Sequence, residues 1–175
     1  MKYVGSSSLQ TLAATAATAA TAATAATMLF AAMPAAAQTS QSATCAPATQ
    51  QQIAALFDRW NDSLRTGDPD KVVANYAKDG VLLPTVSNQA RTDPAAIRDY
   101  FVKFLKGKPQ GTIDDRFIRV GCNVAQDVGN YTFKFADGKT VHARYTYVYE
   151  YQNGKWLIAH HHSSAMPEGV AASAK

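Results

Sequence analysis

One stretch of sequence decides the fold of this chain: Gly154-Lys155-Trp156-Leu157-Ile158-Ala159-His160-His161-His162-Ser163-Ser164, closed by Pro167. It begins apolar, ends in three consecutive histidines, and follows Asn153-Gly154, which is a strong hairpin signal. Neighbouring side chains of a strand point to opposite faces, so His161 faces one way and His160 with His162 the other. The stretch therefore predicts a closing strand that carries titratable groups on both faces of a sheet.

Upstream of this strand, apolar and polar residues alternate in a way that is typical of further strands. The pattern is found at residues 113–122, 130–135 and 140–151, and a shorter strand is predicted at residues 81–83. Asp137-Gly138 and Asn153-Gly154 join the last three strands as a meander. The second half of the chain is therefore predicted to be an antiparallel sheet.

Three helices are predicted before the sheet. Apolar residues at helical spacing form one stripe on the first helix: Ile53, Leu56, Phe57, Trp60 and Leu64. Asp68-Pro69 and Asp93-Pro94 are N-cap and first-turn signals for two more helices, the second of which is predicted to include Tyr76. Helices first and strands later predict an α+β fold with the helices packed on one face of the sheet.

The N-terminal region has the composition of a leader rather than of a folded domain. Residues 12–27 repeat Ala-Ala-Thr with period three, and Ala35-Ala36-Ala37 follows. We expect residues 1–37 to be a secretory signal peptide, with a disordered low-complexity leader as the alternative. This predicts a periplasmic or secreted protein with a flexible arm at 38–49, a folded domain at 50–167 and a flexible tail at 168–175.

Charge and cysteine content limit the possible partners. The net charge is only +4, and no run of Lys or Arg is dense enough for a nucleic-acid interface. No segment after the leader approaches transmembrane length, so we expect no membrane association once the leader is removed. In an exported chain, Cys45 and Cys122 favour one disulfide, and two unpaired thiols are the alternative.

The order of three helices and a curved meander resembles the nuclear-transport-factor-2-like, or cystatin-like, cone fold. Gly154-Lys155-Trp156, His160-x-His162-x-Ser164 and Pro167 are similar to the closing motif of the association domain of calcium/calmodulin-dependent protein kinase II. The resemblance covers residues 50–167 and extends to SnoaL-like proteins, including exported bacterial ones labelled "SgcJ/EcaC family oxidoreductase". It implies a cavity between helices and sheet, and assembly into a homodimer or larger oligomer.

The resemblance also suggests which residues to test for ligand binding. In the kinase domain two arginines on the last two strands attract carboxylates, whereas this chain has Tyr147 and Ser163 there. Arg98 falls where the kinase domain has a histidine facing the cavity. The resemblance therefore implies, at most, an anion-binding pocket built on Arg98 and His161.

The turn at Asn153-Gly154 determines which histidine shares the face of the tyrosines on the preceding strand. A two-residue turn pairs Tyr147 with His160, whereas a three-residue turn with a bulge at Gly154 pairs Tyr147 with Ala159. We favour the bulge, because small Ala159 and Ser163 leave space opposite large tyrosines. The residues then predicted to line the cone and bind a small polar or carboxylate-bearing ligand are Arg98, Tyr145, Tyr147, His161 and Ser163.

Two other interpretations of the histidines remain open. His161 is either a ligand-binding imidazole that titrates near neutrality or a buried neutral histidine bonded to a tyrosine. His160 and His162 share the other face, and His142 or Glu150 could approach them from the neighbouring strand to form a metal site, but a catalytic metal needs three protein ligands with outer-shell support. We expect no metal or other cofactor, and expect that face to pack against a second subunit.

An enzymatic function would need an acid and a base. His161 and Tyr147 are the candidates, but no strand carboxylate is evident on the cavity face to orient the imidazole. The chain has no GxGxxG element, no flavin or haem signature and no CxxC motif to support an oxidoreductase. We therefore predict an exported, self-associating domain that binds a small molecule. A cofactor-free lyase, isomerase or hydrolase and a purely structural oligomerisation module are the alternatives.

Overall fold

The computed structural model describes residues 44–167. The predicted signal peptide at 1–37, the arm up to residue 43 and the tail at 168–175 lie outside the described residues. Within the described part, no helix has the length and apolar character needed to cross a membrane.

The described chain forms an α+β fold, as predicted. The elements are α1 Gln50–Arg65, α2 Pro69–Val73, β1 Tyr76–Leu83, α3 Pro94–Phe104, a 3₁₀ turn Leu105–Gly107, β2 Gln110–Val120, β3 Val124–Lys134, β4 Thr140–Gln152 and β5 Lys155–Ala165. The sheet order is β1-β5-β4-β3-β2, antiparallel throughout except for β1, which pairs with β5 in parallel. The sheet is therefore mixed rather than wholly antiparallel.

Local sequence signals account for where the helices begin. Thr49 and Gln52 form a capping box at α1, and the Asp68 and Asp93 side chains accept hydrogen bonds from the first turns of α2 and α3. The prediction that the second helix reaches Tyr76 was wrong. Asn75 donates hydrogen bonds from its side chain to carbonyls of the last turn of α2, which ends the helix, and Tyr76 begins β1.

The core lies between α1 and the concave face of the sheet. The predicted stripe of α1 is buried, and its Phe57 and Trp60 rings lie 6.2 and 5.8 Å from the ring of Tyr147 on β4. Tyr145, Tyr147 and Tyr149 are all buried on this face. Aromatic packing between one helix and the central strand therefore fixes the position of α1 over the sheet.

The hairpin between β4 and β5 has a two-residue turn, so the predicted three-residue turn was wrong. Asn153 and Gly154 both have positive φ, 51° and 81°, and Gln152 pairs with Lys155. Two successive residues in the left-handed region form the turn whose twist matches that of the flanking strands.

A bulge farther along β5 nevertheless brings His161 to the tyrosine face. Tyr149 pairs with Ile158 but Val148 pairs with His160, so Ala159 is an extra residue in β5. Beyond the bulge, Tyr147 pairs with His161, and Tyr145 pairs with Ser163. His161 and Ser163 thus share the concave face with the tyrosines, as predicted, but the cause is a mid-strand bulge.

A disulfide joins the segment before α1 to the end of β2. Cys45 and Cys122 are bonded, with Cα atoms 4.7 Å apart, as predicted. Next to the bridge, the Asn123 side chain accepts from the backbone N–H of Ala46 and donates to the carbonyl of Thr44. The segment is therefore attached to the sheet by a covalent bond and by hydrogen bonds.

Candidate functional site

A cavity of about 330 Å³ lies beside the concave face, between the sheet, α3 and the segment after β1. Aromatic side chains form much of its wall: Trp60, Tyr100, Phe101, Phe104, Tyr131, Phe133 and Phe135. Burial raises the pKa of Tyr100 to about 12, so its hydroxyl stays protonated at neutral pH. The wall is therefore mostly apolar and uncharged.

Charged residues line the cavity only where it reaches the surface. These are Lys103 on α3 and Asp137 and Lys139 in the turn between β3 and β4, all of them exposed. We call the part of the cavity lined by these three residues the mouth.

His161 is a buried polar residue of the wall. It is 3% exposed, its ring stacks on Tyr147 at 4.1 Å, and its Nδ1 lies 2.8 Å from the hydroxyl of Tyr76. Burial, with smaller contributions from the neighbouring His160 and His162, lowers the pKa of His161 to about 3. The imidazole is therefore neutral at physiological pH, which agrees with the second of the two interpretations from the sequence, a buried neutral histidine bonded to a tyrosine.

The second ring nitrogen of His161 has no protein partner. Nε2 is buried, and none of the residues from 44 to 167 offers it a hydrogen bond. An unpaired buried polar atom carries a desolvation cost of about 1–3 kcal/mol, so such atoms in a cavity wall indicate a place for a polar group of a ligand or for water.

Ser163 belongs to a chain of hydroxyl groups in the same wall. The Tyr131 hydroxyl donates to Ser163 Oγ over 2.6 Å, and Ser163 also shares a hydrogen bond with Thr85. All three residues line the cavity. Because these hydroxyls already bond one another, the buried polar atoms of the described wall that keep an open position are Nε2 of His161 and Nε1 of Trp60.

The structure places the other predicted ligand residues elsewhere. Tyr145 and Tyr147 are buried in the core under α1 and do not line the cavity, although Tyr147 contacts His161 from behind. Arg98 lies on the surface of α3 in an ion pair with Asp70, with Nε 2.7 Å from Oδ1. The Asp70 hydrogen bond raises the pKa of the guanidinium, which is committed to α2 rather than directed to the cavity.

Several residues of the site were not identified from the sequence. Tyr76 was assigned to a helix, and Tyr131 was recognised only as part of a strand. The signal for Tyr131 was its position in an alternating strand, and the chain order gave no indication of its pairing with Ala143.

A carboxylate also lies on the concave face, where none was predicted. Asp127 on β3 is fully buried, accepts a hydrogen bond from Tyr145 at 2.8 Å, and has Oδ2 3.2 Å from Nη2 of Arg116. This last pair is within ion-pair distance, but the two atoms are not aligned for a hydrogen bond. Burial raises the pKa of Asp127, against the lowering effect of Tyr145 and Arg116. The prediction missed it because the strand was expected to begin only at residue 130.

The outer histidines do not assemble with the other predicted metal ligands. His142 Nδ1 is hydrogen-bonded to Thr132 at 2.8 Å, and His162 is exposed. Across residues 44–167, no three His, Cys, Asp or Glu side chains are grouped so that they could hold a metal ion.

Sequence comparison identifies the family. Residues 49–167 match the family model described as the calcium/calmodulin dependent protein kinase II association domain. The chain belongs to this family. The match covers every helix and strand described above, together with the cavity.

Solved structures agree with this assignment. A candidate association domain of this kind from Xanthomonas campestris is 52% identical, with a TM-score of 0.67 over 70% of this chain and 91% of that one. A nuclear-transport-factor-2-like protein of unknown function from Pseudomonas putida is 20% identical, with a TM-score of 0.62 over 70% and 89%. A candidate dehydratase of the same fold from Streptomyces avermitilis is 11% identical, with a TM-score of 0.61 over 67% and 96%. The last two share the fold with this association domain.

Proposed function

We propose that this association domain binds a small, mainly apolar molecule in the aromatic cavity. The observation that carries the proposal is His161, which lines the cavity and whose buried Nε2 has no partner among the described residues. A cavity of 330 Å³ is at the lower end of the range for small-molecule sites, which are typically apolar with a few placed polar groups.

Ligand binding is a better proposal than a reaction in which His161 acts as the base and Tyr147 as the acid. With a pKa of about 3, the imidazole of His161 is a weak base at neutral pH. Burial raises the pKa of Tyr147 well above its ordinary value, so its hydroxyl is a poor proton donor in the empty protein. The two rings stack on each other, and Tyr147 does not reach the cavity.

Export and self-association are also part of the proposal. The disulfide between Cys45 and Cys122 is what an oxidising compartment outside the cytoplasm would allow. On the β2–β3 side of the sheet, Phe117 is 69% exposed and Val124 is 39% exposed, an apolar surface suited to a second copy. Native mass spectrometry of purified protein tests both points: a dimer or larger oligomer cleaved after Ala37 is expected, and a full-length monomer would contradict them.

Ligand binding is tested by narrowing the cavity at an exposed part of its wall. Val86 lines the cavity and is 73% exposed, so Val86→Trp adds bulk to the wall without disturbing the core. Val102→Trp is the matched control, because Val102 is 39% exposed and does not line the cavity. We expect 2-acetonaphthone to shift amide signals of cavity residues in the wild-type domain and in Val102→Trp, but much less in Val86→Trp. Equal shifts in all three would overturn the proposal.

A further inference from the structure

The geometry points to a specific class of ligand: an uncharged molecule whose carbonyl oxygen accepts a hydrogen bond from Nε2–H of His161. This inference rests on the proposed binding function and gives the chemistry of the bound group. It differs from the carboxylate-bearing ligand expected from the sequence.

The position of the imidazole proton follows from Tyr76. Its hydroxyl makes one hydrogen bond within residues 44–167, to His161 Nδ1 at 2.8 Å, and burial raises its pKa so that it keeps its proton. The indole of Trp60 approaches that hydroxyl and partly offsets the rise in pKa, although its Nε1 is not aligned for a hydrogen bond. We assign Tyr76 as the donor and Nδ1 as the acceptor, which leaves the proton on Nε2.

An N–H group in an apolar wall requires an acceptor. A carbonyl oxygen provides one without adding a charge, whereas an alkyl group leaves the N–H unpaired. The ring cannot easily change its tautomer in response to a donor ligand, because the Tyr76 hydroxyl would then lose its acceptor. Tyr76 is therefore a positioning residue that makes His161 a hydrogen-bond donor.

The surroundings of His161 disfavour a charged ligand at this depth. The rings packed against it are Tyr76 from β1, Trp60 from α1 and Tyr147 from β4, and none carries a charge. The lysines that line the cavity are the exposed ones at the mouth. A carboxylate at Nε2 would lose its hydration without gaining a cation, at a cost larger than one hydrogen bond recovers.

Three probes of matched shape test this inference: 2-acetonaphthone, 2-ethylnaphthalene and 2-naphthoate. We expect the ketone to bind the wild-type domain about three- to tenfold more tightly than the hydrocarbon, as one hydrogen bond predicts, and the carboxylate to bind most weakly. The carbonyl stretch of bound 2-acetonaphthone should move to lower frequency than in an apolar solvent.

Variants then assign the effect to one atom. His161→Phe keeps a ring but removes the donor, so ketone affinity should fall to that of the hydrocarbon and the carbonyl shift should disappear. Tyr76→Phe removes the hydroxyl that keeps the proton on Nε2. It should therefore weaken the carbonyl shift while leaving hydrocarbon affinity unchanged. His162→Phe is the matched control on the opposite face and should change neither.

The outcomes separate this inference from the proposed function. If none of the three probes binds, the proposed function is overturned. If the hydrocarbon binds as tightly as the ketone, or 2-naphthoate binds tightest, this inference fails while binding in the cavity stands. If His161→Phe does not fold, the infrared shift in the wild type and in Tyr76→Phe still decides the matter, because an unshifted carbonyl in the wild type overturns the inference.

Discussion

His161 lies directly opposite Tyr147 in the sheet, with ring centroids 4.1 Å apart, because β5 contains one residue more than β4 between this pair and the turn. The extra residue is Ala159. If Ala159 were paired regularly instead of bulged, the alternation of β5 from the two-residue turn would place His160 and His162 on the concave face and His161 outside. The bulge therefore determines which imidazole lines the cavity.

We predict that deletion of Ala159 is tolerated. The deletion removes the bulge but keeps Ile158 opposite Tyr149 and His161 opposite Tyr147, so the cost should be about 1–2 kcal/mol of unfolding free energy, from the lost bend of the strand. Urea denaturation measures this cost, and binding of 2-acetonaphthone should persist.

Deletion of Leu157 is the matched control for this experiment. It also removes the bulge, but it turns Ile158, which is fully buried, to the outer face and puts Ala159 in its place. We expect a loss of about 2–5 kcal/mol, as for a large-to-alanine change in a core. Equal losses for the two deletions would contradict the register described here.

The sequence predicted those parts of the fold that depend on local signals. The starts of α2 and α3 follow from Asp-Pro pairs, and Asn153-Gly154 gives the position of the turn before β5, although not its length. The bulge could not be located in this way, because it occurs where β5 pairs with β4 on one side and with β1 on the other. Its position depends on pairing between segments that are distant in sequence.

We predict that His161 makes the stability of the domain depend on pH. Its pKa is about 3 in the folded domain and near 6.5 in the unfolded chain, so the unfolded chain binds more protons between these values. The free energy of unfolding should therefore be highest above pH 6.5. Between pH 6.5 and pH 3, protonation of His161 in the unfolded chain should lower it by about 1.4 kcal/mol for each pH unit. The groups that face the ring, Tyr76 and Tyr147, keep their protons throughout this range.

The measurement is urea denaturation of wild type and His161→Phe between pH 4 and pH 8. The variant should lose this component of the slope, and the difference between the two proteins cancels the contribution of other groups such as Asp127. His162→Phe removes only the smaller contribution of a neighbouring imidazole, so it should keep most of the slope. Parallel curves for wild type and His161→Phe would show that the buried imidazole is protonated easily.

We predict that Arg116→Met destabilises the domain more than Asp127→Asn does. Removing the guanidinium leaves the Asp127 carboxylate buried with only Tyr145 as its partner, which should cost about 3 kcal/mol near neutral pH. In Asp127→Asn, the amide oxygen can still accept from Tyr145. Arg116 is 25% exposed and can turn toward water when the carboxylate is absent, so Asp127→Asn should lose less unfolding free energy than Arg116→Met.

The pH dependence of Arg116→Met has a definite sign. The pKa of Asp127 is already raised by burial and should rise further without the arginine. A carboxyl whose pKa is higher in the folded state than in the unfolded chain stabilises the fold at low pH, and this stabilisation is lost as the pH rises through the folded-state pKa. The loss of stability in Arg116→Met should therefore become smaller toward pH 4. Arg119→Met, an exposed arginine on the same strand, is the control. A defect that grows on acidification would contradict this account of the pair.

The candidate site was predicted only in part, because side-chain placement depends on tertiary neighbours. His161 and Ser163 line the cavity, and their role in ligand binding stays a prediction. Arg98 was selected from its place at the margin of a helical stripe, but α2 lies alongside α3 and presents Asp70 to it. Asn75 ends α2, and this single residue moves Tyr76 from a helix to the strand that holds the imidazole.

We predict that the disulfide contributes about 4 kcal/mol to stability and nothing to ligand binding. Cys45 and Cys122 are 77 residues apart, and closing a loop of this length restricts the unfolded chain. Neither the two cysteines nor Asn123, which is hydrogen-bonded next to the bridge, lines the cavity, so the shape of the cavity should not change when the bridge is removed.

The measurement is urea denaturation and ligand binding of Cys45→Ala/Cys122→Ala. This variant should have a lower urea midpoint but an unchanged affinity for 2-acetonaphthone. Reduction of the wild type should reproduce both results, and Asn123→Ala should cost less, because it removes hydrogen bonds but keeps the covalent loop. A loss of affinity as large as the loss of stability would show that the bridge shapes the cavity directly.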